Sequence, residues 1–190
     1  MCICHKCFNK FSPKFRRFKI RKYDGLSLYD YDQEIQEKLY QFKGCFDYEL
    51  GGIFLNYFLP SLKLKYLGYY LIPAPSHKSH DDKRGFNHVE TIFSFLKKKY
   101  IKCIHKIDEV KQSDLSAKER HNIYKHLAIE NGEQICGKKI LVVDDVLTTG
   151  STIKAMIKLI EKYNPKSIKI LVVSKTVSPR EKSINRSEIL

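Results

Sequence analysis

The sequence predicts an α/β fold in which a mostly parallel sheet is flanked by helices. Ile140 to Val143 is an unbroken, largely β-branched apolar run, the pattern of a strand buried on both faces of a parallel sheet. After a polar turn, Ile153, Met156, Ile157 and Ile160 recur at i, i+3, i+4 and i+7, one apolar helical stripe that ends before Asn164-Pro165. A second apolar run, Ile168 to Val173, returns as a strand. The three together are a βαβ unit, and the turn inside it falls at the carboxyl edge of the sheet, where open α/β folds bind ligands.

From the start of the chain, Cys4-x-x-Cys7, with Cys2 and His5 beside it, has the spacing of half a structural zinc site. The other cysteines, Cys45, Cys103 and Cys136, form no second such pair, so Zn2+ on Cys4 and Cys7 competes with unliganded thiols. From residue 8 to 23, Phe8, Phe11, Phe15, Phe18 and Tyr23 alternate with Lys10, Lys14, Arg16, Arg17, Lys19, Arg21 and Lys22. Single-stranded nucleic acid uses such interleaving, cations for its backbone and rings for its bases. The simpler reading is an irregular linker whose aromatics pack on the domain.

Tyr29-Asp-Tyr-Asp32 opens a helix carrying Ile35, Leu39 and Phe42, and a second helix is expected from Glu49, with Leu50, Ile53, Phe54, Tyr57 and Phe58, before Pro60. Tyr69 to Ser76 reads as a strand stopped by two prolines. A polar, basic loop follows, His77 to Asn87, and then a helix whose apolar face is Val89, Ile92, Phe93 and Leu96. This second strand-loop-helix delivers its loop to the same sheet edge. Arg84, whose guanidinium offers paired donors to phosphate oxygens, is the first candidate there, with Lys83 as a helper. His77, His80 and His88 have no metal-binding spacing and are expected as solvated loop residues. Lys111 to Asn122 is polar and without a sustained stripe, the composition of a mobile lid or of a capped surface helix. The tail, residues 176–190, is expected to fray.

The chemistry is expected in Asp144-Asp-Val-Leu-Thr-Thr-Gly-Ser-Thr152. Thr148, Thr149, Gly150, Ser151 and Thr152 bring hydroxyls, a backbone open to close approach and the first amides of a helix together, which makes an anion cradle suited to a phosphate monoester. Asp144 and Asp145 repel phosphate and suit hydroxyl groups or a metal ion, so the combined site reads as ribose hydroxyls beside a ribose 5-phosphate. A phosphoacceptor receiver domain would need a later aspartate, and residues 146–190 contain none. Gly132 to Lys139 nearly spells a Walker A loop, but it ends in lysine and precedes a strand. No G-x-G-x-x-G follows a strand, which excludes a dinucleotide fold.

The stretch from Val142 to Thr152 resembles the signature of type I phosphoribosyltransferases that binds phosphoribosyl pyrophosphate (PRPP). Three further segments are similar to the ComF (GntX-like) competence-protein family: Tyr31 to Lys43, a tyrosine-led helix ending in lysine; Ile72-Pro-Ala-Pro75 with Arg84-Gly-Phe-Asn87; and Gln112, Leu115, Arg120 and Asn122, with Asn122 one position out of register. The resemblance covers roughly residues 29–175 and implies a type I phosphoribosyltransferase fold. It implies Asp144 and Asp145 on the ribose hydroxyls and in catalysis, Thr148 to Thr152 on the 5-phosphate, and Arg84 and Lys83 on the pyrophosphate side. It also implies a lid carrying Lys111, Gln112 and Arg120, Mg2+ with PRPP, and an N-terminal zinc ribbon of which one C-x-x-C remains. DNA uptake is the process it implies, with single-stranded DNA and a helicase-like ATPase as partners. A transferase-like domain that only binds DNA is the rival reading.

Size and composition set the frame. A chain of 190 residues, 43% hydrophobic, supports one good core. The expected division is a Cys-containing basic and aromatic segment over residues 1–28, a transferase-like domain over 29–175 and a tail over 176–190. No run approaches the ~18 apolar residues of a membrane helix, so no membrane insertion is expected and the cytoplasm is the expected compartment. The six cysteines are then expected as thiols or metal ligands, not disulfides. A net charge of +14 points to anionic partners without choosing among them.

Overall fold

The computed structural model describes residues 13–44, 48–76, 81–82, 85–107 and 127–177. Strands β1 (Arg16–Ile20) and β2 (Tyr23–Asp30) form an antiparallel hairpin, paired from Arg16 opposite Ser27 to Ile20 opposite Tyr23. Helix α1 (Gln33–Gly44), two 3-10 turns (Tyr48–Phe54 and Asn56–Phe58) and α2 (Leu59–Lys65) follow. Then come β3 (Tyr69–Pro73), α3 (His88–Ser94), β4 (Ile104–Lys106), β5 (Leu127–Ile129), β6 (Lys139–Leu147), α4 (Ser151–Ile160) and β7 (Ser167–Lys175). The main sheet has the order β1-β2-β7-β6-β3, with β2, β7, β6 and β3 parallel and β1 antiparallel at one edge. β4 and β5 form a separate antiparallel pair.

Apolar side chains fill both faces of the sheet, as expected for near-continuous apolar strands. Leu141, Val143, Leu171 and Val173 pack on one face with Ile35, Leu39 and Phe42 of α1 and with Val89, Ile92 and Phe93 of α3. Ile140, Val142, Ile170 and Val172 pack on the other with Ile153, Met156, Ile157 and Ile160 of α4. The period-two alternation of each strand thus assigns odd and even positions of β6 to different layers.

Two stretches differ from the sequence expectation. Residues 16–28, expected outside the transferase-like domain, and Tyr29-Asp30, expected to open a helix, give the sheet two of its five strands. Their basic and aromatic alternation is a period-two pattern: Ile20 is buried and Phe18 half-buried, while Arg17 and Lys19 are exposed. Charged outward residues are also how an edge strand avoids pairing with another molecule. Phe18 lies over its cross-strand neighbour Gly25, where a Cβ would stand 2.2 Å from the ring. The second difference is Pro60. The 3-10 turns replace the helix expected from Glu49, and the α-helix starts at Leu59 with Pro60 in its first turn, where a missing amide costs nothing.

Among the described residues no helix is long and apolar enough to cross a membrane.

Candidate functional site

β6 runs through the two aspartates to Leu147, four residues beyond the apolar run. Its pleat therefore turns neighbours in sequence to opposite faces: Asp144 follows Ile140 and Val142, and Asp145 follows Leu141 and Val143. Asp145 is 6% exposed, an unusual depth for a carboxylate, and it is met from the helix layer on its side. Lys43, the last charged residue of α1, makes a close ion pair with its Oδ2. The Nε2 of His88, at the start of α3, is 3.8 Å from the same oxygen. Asp144 accepts a hydrogen bond from the Asp145 amide at 2.9 Å. Burial pushes the Asp144 carboxyl up to about 7, against the opposing pull of Lys43 and Lys106. Lys106 ends β4 opposite Leu127 of β5, so that end of the β4-β5 pair brings a positive charge within reach of Asp144.

Beyond Leu147 the chain turns at Thr148, Thr149 and Gly150. Gly150 is buried with φ +70° and caps α4; a Cβ there would lie 3.2 Å from Ile20 Cδ1 and 3.3 Å from Leu147 Cδ1. The left-handed backbone and the hairpin packed beneath it both call for glycine. Gly150→Ala should cost about 1–2 kcal/mol, read by urea denaturation. The first helical hydrogen bond runs from the Lys154 amide to the Gly150 carbonyl at 2.9 Å, so the earlier amides of α4 have no partner within the helix and face the loop. The Thr149 and Ser151 hydroxyls lie 2.9 Å apart, and Thr149 Oγ1 accepts from the Ser151 amide at 3.4 Å. Thr148 and Thr149 are exposed, and Ser151 and Thr152 half-buried, so the donors are accessible to an anion.

The loop after β3 is anchored beside this edge. Asn87 Oδ1 accepts from the Glu90 amide at 3.0 Å, capping α3, and Nδ2 donates to Ser76 Oγ and Asp81 Oδ2, each at 2.9 Å. Phe86 packs on Phe42 of α1, ring centroids 5.4 Å apart, which ties this loop to the helix that delivers Lys43.

The structure thus brings Asp144, Asp145 and Thr148 to Thr152 together at one sheet edge. Lys83, Arg84, Lys111, Gln112, Arg120, Cys4, Cys7, His77 and His80 lie outside the described residues. Among the described residues no group of three or more His, Cys, Asp or Glu could hold a metal ion. His88 departs from the solvated residue expected: its side chain is 12% exposed because α3 packs on the sheet there. Lys43, His88 and Lys106 were not among the site residues expected from sequence. Only Lys43 carried a signal, as the final lysine of the Tyr31 to Lys43 segment.

A phosphoribosyl transferase domain matches residues 100–187. The competence protein ComFC of Streptococcus pneumoniae is 30% identical over 143 residues, covering 75% of this chain and 64% of that protein. The chain is thus similar to ComFC and carries a match to the phosphoribosyl transferase domain. The ComF-like chain therefore spans less than two thirds of the streptococcal protein's length. Phosphoribosyltransferase domain-containing protein 1 of Xenopus laevis is 27% identical over 158 residues, covering 70% of each chain. Among solved structures, a hypoxanthine-guanine phosphoribosyltransferase of Bacillus anthracis aligns over 66% of this chain and 69% of its own, at 15% identity and a TM-score of 0.43. Lys43 and His88 lie outside the segment matched by the domain.

Proposed function

We propose that this ComF-like protein binds PRPP with Mg2+ at the carboxyl edge of its sheet and transfers the phosphoribosyl group to an acceptor. The observation that carries the reading is the direct succession, on one strand end, of two carboxylates and a hydroxyl-lined helix start. Open amides and the hydroxyls of Thr149 and Ser151 suit a 5-phosphate. Carboxylate oxygens accept from ribose hydroxyls, and Asp145 and Asp144 would meet the sugar from the two sides of the strand's end. Mg2+ bound with the substrate would supply positive charge to the departing pyrophosphate.

In the reaction the C1–oxygen bond to pyrophosphate breaks, pyrophosphate leaves with the electron pair, and the acceptor atom bonds to C1 and gives up its proton. The ribose gains positive charge on the way, so this chain's part is to hold the sugar, keep negative charge below it and exclude water. Arg84 and Lys83 would serve the pyrophosphate. The connection from β4 to β5, with Lys111, Gln112 and Arg120, would close over the site, starting as it does next to Lys106. Competence, the process in the streptococcal relative's name, is the biological setting of this reading, with DNA uptake as its context.

Calorimetric titration with PRPP and Mg2+ tests it. The parent should bind, and Thr149→Val, which keeps the shape and loses one hydroxyl, should weaken binding about tenfold, as expected for ~1.4 kcal/mol of hydrogen bonding to a charged group. A folded parent that takes up no PRPP would overturn the reading.

A further inference from the structure

The opposite part of the sheet holds a second pocket, of about 590 Å³, between the β1-β2 hairpin, the end of α2 and the start of β7. Four cations line it: Arg17 and Lys19 from β1, Lys65 from α2 and Lys169 from β7. Their neighbours show how unusual this is. Lys14 and Arg16 pair with Asp30, and Arg21 and Lys22 pair with Glu161, so the hairpin's other cations have carboxylate partners. Among the described residues Arg17, Lys65 and Lys169 have none, and Lys19 reaches only the exposed Asp24, at 3.8 Å.

Asp24 is the one carboxylate among the pocket's lining residues, so the four cations are in excess and repel one another, and the fold holds them on three separate elements. Lys65 records that strain: burial lowers its ammonium pKa first, and the charges of Arg17 and Lys169 lower it further. Leu26 and Tyr66 give the pocket an apolar wall. The pocket is separate from the carboxylate site. Lys169 stands three residues before Val172, the partner of Asp144, which is about 10 Å along the strand. From there the pocket extends away from β6, across β2 to the outermost strand.

We propose that this pocket is a second anion site that takes a compact polyphosphate group, such as that of a nucleoside triphosphate. Cations converging from three elements on one bounded volume suit a dense cluster of phosphate oxygens, whereas an extended chain would need a stripe of charge along the surface. The volume is that of a small-ligand pocket, and Leu26 and Tyr66 offer contact to the ligand's body. The proposal is independent of the PRPP reading.

The test is calorimetry at low salt with tripolyphosphate, ATP and an oligothymidylate, on the parent and on the double variant Lys65→Glu/Lys169→Glu. Tripolyphosphate and ATP should bind the parent, compete with each other and weaken as salt rises. Binding should fall at least about a hundredfold in the double variant, and about tenfold in the milder Lys169→Ala, which perturbs the fold least. Far-ultraviolet circular dichroism confirms folding of each variant without reference to PRPP. Absence of binding to the parent, equal affinity in a folded double variant, or binding of the oligothymidylate alone would each overturn the proposal.

Discussion

Asp145→Asn should lower the affinity for PRPP and Mg2+ at least about a hundredfold and also destabilise the free protein. The first effect follows from losing a charged acceptor for ribose hydroxyls, worth ~1.5–3 kcal/mol per hydrogen bond. The second follows from Lys43. Its ammonium pairs with Asp145, and the neutral amide would leave it against His88 without that partner. Breaking a fully buried pair costs about 3–5 kcal/mol. The Lys43 side chain keeps 28% exposure, so water recovers part of this and about 2 kcal/mol is expected. Urea denaturation reads the stability and calorimetry the affinity. Full affinity in a folded variant would remove Asp145 from the ribose site.

Asp144→Asn should act on stability in the opposite sense, and with a pH signature. Burial raises the Asp144 carboxyl from its ordinary 3.8 to about 7. Between those values the folded state holds a proton that the unfolded chain releases, so stability falls as pH rises through this window and the loss persists above it. Asparagine cannot ionise. The ligand-free variant should therefore gain on the parent at pH ~8 and show little difference at pH ~4, where both side chains are neutral. PRPP binding should respond inversely, because only the ionised carboxylate accepts from two hydroxyls. The parent should bind more tightly as pH rises through about 7, with proton release, and the variant should bind weakly with a flat profile. Titrations in two buffers of different ionisation heat measure the released proton. A variant whose stability relative to the parent does not rise between pH ~4 and ~8 would contradict the raised carboxyl.

The carboxylate and loop half of the site could be read in the sequence because its geometry is local. The apolar run of β6, the stripe of α4 and the run of β7 each declare their period, and Asp144 through Thr152 fall between them. The other half depends on distance. Nothing near Asp145 in sequence says that the last turn of α1 will place Lys43 on it, because that contact exists only once α1 and α3 cover the sheet. His88 was misjudged for the same reason: a histidine opening a helix looks solvated until the helix is docked. The β1-β2 hairpin was obscured by composition. Charges on an edge strand's outward positions hide its alternation under a basic, aromatic bias that also suits nucleic acid.

The strand order also bears on how the chain assembles as it is made. β2 pairs with β7 and with β1, not with β3 or β6, and Gly25 of β2 sits opposite Ile170 of β7. The hairpin therefore leaves the ribosome long before the strand it must join, while β6, α4 and β7 emerge together and can pair over a short loop. Closing so long a loop is the entropically slow step in a fold of this kind. Until β7 arrives, the pairing edge of β2 has no sheet to meet, and the β1-β2 hairpin must wait for β7 to emerge before the sheet is complete.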